Sequence, residues 1–225
     1  VIRSRKNKLP QTAAAFSLIE MVAVIAILVT LMTAGVSLLG STGIQSRKTG
    51  ADMLSGLIEQ ARTKAITSRS NVLLVIAEPG SLPTQDERCR IGLFKVPDNW
   101  LDNPTSIKDA ELLTRWQNLN TGIALIPGDV DENGVKIPNP VGANKKINIA
   151  YGGTKNLKVN VYAIAFNSRG GLAYPTGSSP VALRIAEGSY RGGVATPNKR
   201  GDAGTITESR LKIGRVTARP YQIDG

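Results

Sequence analysis

One carboxylate, Glu20, stands inside an otherwise apolar run, FSLIEMVAVIAILVTLMTAGVSLL, that fills residues 16–39. An acid inside a membrane-like helix costs about 2.5–3.5 kcal/mol on insertion scales unless it snorkels to the interface or finds a cation. Glu20 is therefore the residue whose chemistry most needs a reason. A second acidic group is Gly128-Asp129-Val130-Asp131-Glu132-Asn133-Gly134. Alternating carboxylates around glycine are the raw material of a calcium loop, but the EF-hand spacing is unmet and its flanking helices are missing. An ordinary acidic turn is the simpler reading, and no metal site is expected. The third group is cationic: Lys199, Arg200, Arg210, Lys212, Arg215 and Arg219, with Arg191 nearby. Such a set supplies phosphate contacts to a nucleic acid, or else general surface basicity that aids solubility or contact with anionic headgroups.

Catalysis has little to work with. The chain has no histidine, which removes Ser-His-Asp and Cys-His arrangements, imidazole metal ligands and an imidazole switch. Its single cysteine, Cys89, can form neither an internal disulfide nor a thiolate zinc site. The glycine pairs at 152–153, 170–171 and 192–193 do not lie between a strand and a helix at phosphate-loop spacing, so they read as turns. No enzyme activity and no cofactor are expected.

The elements that place these residues follow from patterning. At about 1.5 Å per residue a 24-residue helix is roughly 36 Å long, enough to cross a bilayer. Arg3, Arg5, Lys6 and Lys8 precede it. The positive-inside rule keeps them cytoplasmic and sends everything after about residue 40 outward. A secretory signal places its small-residue cleavage site after a shorter apolar core, whereas Ala13, Ala14 and Ala15 come before this one.

After a break at Gly40-Ser41-Thr42-Gly43, Leu54, Leu57, Ile58, Ala61, Ala65 and Ile66 recur at three-to-four spacing, which predicts an amphipathic helix. Its other side, with Asp52, Glu59, Arg62, Lys64 and Arg69, reads as a solvated face. Residues 71–77, NVLLVIA, predict the first strand, ended by Pro79-Gly80. Further strands are expected at 91–96, 112–116, 123–126, 147–151, 159–166, 171–174, 181–187 and 205–216. Residues 80–90 and 127–145 read as surface loops. The predicted organisation is a basic leader at 1–15, a transmembrane helix at 16–40, an amphipathic continuation helix at 41–70 and a β-rich head at 71–225. This is an α+β fold, a long N-terminal helix packed on an antiparallel sheet.

The formal charge is +11, and it is unevenly placed. Residues 40–132 hold 10 Lys and Arg against 12 Asp and Glu, net −2, whereas 133–225 hold 14 against 4, net +10.

The order Ala15-Phe16-Ser17-Leu18-Ile19-Glu20 resembles the prepilin-type N-terminal cleavage and methylation motif of the type IV pilin-like and pseudopilin family, with Ala15 where the family usually has glycine. The resemblance implies that a prepilin peptidase cuts between Ala15 and Phe16 and methylates the new amine of Phe16. It also implies that Glu20 pairs with the N-terminus of a neighbouring subunit during filament assembly. The head resembles the GspH/FimT-like branch through the helix 51–66 running into a strand, the strand-turn-strand pattern of 164–171, and a closing strand at 211–219. Its implied partners are the peptidase, other pilin-like subunits, an inner-membrane assembly platform and the membrane. The implied location is the bacterial inner membrane, single-pass, N-terminus cytoplasmic, head periplasmic or extracellular. The leading expectation is a structural subunit, a pseudopilin or minor pilin, of a type II secretion or type IV pilus-like filament. The alternative is a DNA-binding minor pilin of a DNA-uptake system that uses the basic C-terminal region.

Overall fold

The computed structural model describes the backbone of residues 18–80, 88–101, 111–126, 147–151, 154–159, 161–200 and 204–224, and the side chains of these apart from 33–44, 147–151, 154–159, 200 and 224. The leader, Ala15 and Phe16, the acidic stretch 128–134 and most of the two long loops lie outside the described residues. The chain divides into two compact units, 1–42 and 43–225.

The helix α1 (Leu18–Ser68) contributes to both units. Its backbone is helical through Gly40–Gly43, where the patterning predicts a break. A helical glycine costs about 1 kcal/mol relative to alanine, which does not suffice to end a helix of this length. In the first unit every described large apolar side chain from Leu18 to Met32 is exposed, from 49% at Leu28 to 82% at Leu18. Among the described residues, no helix is long and apolar enough to cross a membrane.

In the second unit α1 buries Ala51, Leu54, Leu57, Ile58, Ala61 and Ala65, the stripe expected from the spacing, while Ile66 stays 40% exposed. Gly50 permits close approach: a Cβ there would stand 2.4 Å from Cδ1 of Ile123.

The first sheet is built on β1 (Asn71–Ala77), which pairs antiparallel with β2 (Arg90–Val96). On β2 sit the short β3 (Glu111–Leu112) and β4 (Gln117–Asn118). The second sheet uses β5 (Ile123–Ile126), and β6 (Ile147–Tyr151) with β7 (Thr154–Val159) forms a separate ladder. On its other side β1 pairs with β8 (Val161–Phe166), followed outward by β9 (Leu172–Tyr174), giving the order β3-β2-β1-β8-β9. The strand β10 (Val181–Arg191) pairs with β5 and then with β11 (Val194–Pro197) along one side. After the small β12 (Lys199–Arg200) and β13 (Thr205–Ile206) ladder, β14 (Glu208–Ile213) pairs with the other side of β10 and with the edge strand β15 (Pro220–Asp224).

Why NVLLVIA shows no alternation is now plain, since β1 is buried on both faces. Val72, Leu74 and Ile76 join α1 and the inner face of the second sheet, with Leu183, Ile185, Leu211 and Ile213. Leu73, Val75 and Ala77 pack on the other face with Phe94, Trp100 and Ala163. Two strand expectations fail on local geometry. Residues 112–116 do not form one strand: Glu111–Leu112 and Gln117–Asn118 pair with β2 as two short ladders, and between them the Leu113 amide donates to the Leu93 carbonyl while Thr114 Oγ1 accepts the Leu93 amide. The closing strand at 211–219 stops at Ile213: residues 215–217 form a turn, Ala218 takes φ 46°, and pairing resumes at Pro220. A left-handed residue cannot continue a ladder.

Candidate functional site

The processing residues Ala15 and Phe16 lie outside the described residues. Glu20 lies in the first turn of α1 and is exposed, with exposed apolar neighbours Ile19 and Met21.

The cationic candidates differ in what their charge faces. Arg215 turns inward, donating from Nε to the carbonyl of Ser179 and from Nη1 to that of Pro175. Its burial lowers the guanidinium pKa from its usual value. Arg210 Nε donates to Glu208 at 2.7 Å, and the same carboxylate takes Arg184 at 2.6 and 2.9 Å. Arg184 and Arg210 are directly opposite each other on β10 and β14, so buried Glu208 screens two like charges that would otherwise face one another. Lys212 is opposite exposed Tyr221 of β15, while Lys199 and Arg219 are exposed. Arg200 is placed in β12 by its backbone alone.

Arg62, expected on a solvated face, instead reaches across the fold. Its Nε donates to the Thr217 carbonyl at 2.6 Å, and its Nη1 meets Glu59 at 3.5 Å.

Patterning does not reveal a cluster of buried polar groups between the sheets. The Cys89 thiol donates to the Tyr190 hydroxyl at 3.0 Å, and that hydroxyl also accepts the Leu125 amide at 3.1 Å. Nearby, the Tyr162 hydroxyl donates to Glu78 at 3.2 Å. Burial pushes the Cys89 thiol up to about 12 and raises the Glu78 carboxyl and both tyrosines. A thiol that stays protonated is no nucleophile at neutral pH, so the cluster ties strands together. Its signal was invisible because its members are scattered from position 78 to position 190.

Among the described residues no three His, Cys, Asp or Glu side chains gather to hold a metal. An open groove of about 440 Å³ lined by Arg69, Ser70, Lys95, Asp98 and Glu111 balances two cations with two acids.

No protein-family model matches the chain, and no curated protein matches it. Among solved structures it is similar to the type IV minor pilin FimU of Pseudomonas aeruginosa, strain PAO1, at 11% identity over 82% of this chain and 91% of that chain, with a TM-score of 0.37.

Proposed function

We propose that the chain is a prepilin-like structural subunit, a pseudopilin or minor pilin, of a type II secretion or type IV pilus-like filament. The observation that carries this reading is the exposed apolar surface of α1 from Leu18 to Met32. Fully burying one such side chain is worth about 1.5–3 kcal/mol, so a segment bare on all sides needs lipid or other helices as cover. The sequence extends the same character to Leu39, a bilayer-spanning length.

On this reading a prepilin peptidase cuts between Ala15 and Phe16 and methylates Phe16. The basic leader stays on the cytoplasmic side of the inner membrane, and the head stands outside. Glu20 then meets the new N-terminal amine of a neighbour. In low dielectric an ammonium and a carboxylate relieve each other's desolvation cost and set register between helices. An assembly platform and other pilin-like subunits are the partners, and nothing in the role requires catalysis.

The test is Glu20→Ala in the full chain, read as the fraction recovered in sedimentable filaments. A drop of tenfold or more with an unchanged melting temperature of the head is expected; unchanged assembly removes the role of Glu20.

A DNA-uptake role keeps Lys212 and Arg219 as contacts, with Tyr221 opposite Lys212 as a surface on which a base stacks. It loses the inward Arg215 and the Glu208-bound Arg210, which makes it the second reading.

A further inference from the structure

We draw no further inference here: the strongest candidate, the exposed apolar strip of Tyr221 and Ile223 on the edge strand β15, opposite Lys212 and Arg210 of β14, carries none, since nothing in the structure shows what covers it and contact with nucleic acid there is already the second reading above.

Discussion

At the scale of single residues, the chain places its polar groups by burial more than by sequence neighbourhood. Arg215 and Arg219 look alike in Gly-Arg-Val-Thr-Ala-Arg, yet one is turned onto the carbonyls of Pro175 and Ser179 and the other is exposed. No periodicity distinguishes them, because the partners of Arg215 lie 36 and 40 residues away. Glu78 makes a similar point with a testable sign. Burial raises its carboxyl above 4.5, and the Tyr162 hydroxyl bond only partly opposes this. A carboxyl whose folded pKa exceeds its unfolded one contributes stability that is present below the unfolded value and lost as pH rises through the folded value. The groups facing it, Tyr162 and Cys89, stay neutral throughout that range. Denaturant midpoints measured from pH 4 to 7 should therefore fall with rising pH more steeply in the parent chain than in Glu78→Gln. A variant that loses stability at pH 7 and gains nothing would contradict this assignment.

At the scale of elements, spacing carried the amphipathic half of α1 and most central strands, since Leu54, Leu57, Ile58 and Ala61 face the core as a three-to-four pattern requires. What it lacked were features made by contact between distant segments. The 11-residue β10 changes partner part-way, from β5 at Arg184–Glu187 to β11 at Gly188–Arg191. Gly188 sits at that change. A Cβ there would stand 2.5 Å from the Thr196 carbonyl oxygen and 2.8 Å from the Cα of Pro197, both backbone atoms that cannot rotate away. Gly188→Ala should cost about 1–3 kcal/mol, as overpacking does elsewhere, and separate β11 from β10. Thermal unfolding together with amide exchange at Tyr190 and Thr196 measures both effects. Gly56→Ala, with open space around it, is the matched control and should leave stability within about 0.5 kcal/mol. The edge strand β15 escaped the sequence reading because PYQID is only five residues long and opens on a proline, and its alternating apolar residues, Tyr221 and Ile223, are the ones that remain exposed.

At the scale of the whole molecule, two features call for company: an apolar helical segment with no cover, and a basic C-terminal half beside a weakly acidic first half of the head. The first is legible in the sequence as the apolar run 16–39, of which the structure describes the side chains from Leu18 to Met32. The second was visible as a charge count, but the count overstated the available surface, since Arg184, Arg210 and Arg215 spend their charge on internal partners. What remains exposed includes Arg169, Arg191, Lys199 and Arg219. The most direct measurement is the intact mass of the N-terminal peptide from membrane-extracted protein in a host that has the peptidase. A peptide that begins at Phe16 and carries one added methyl group is the predicted result. A terminus upstream of Phe16, unmethylated, would contradict processing and with it the pairing of Glu20 with a neighbour's amine.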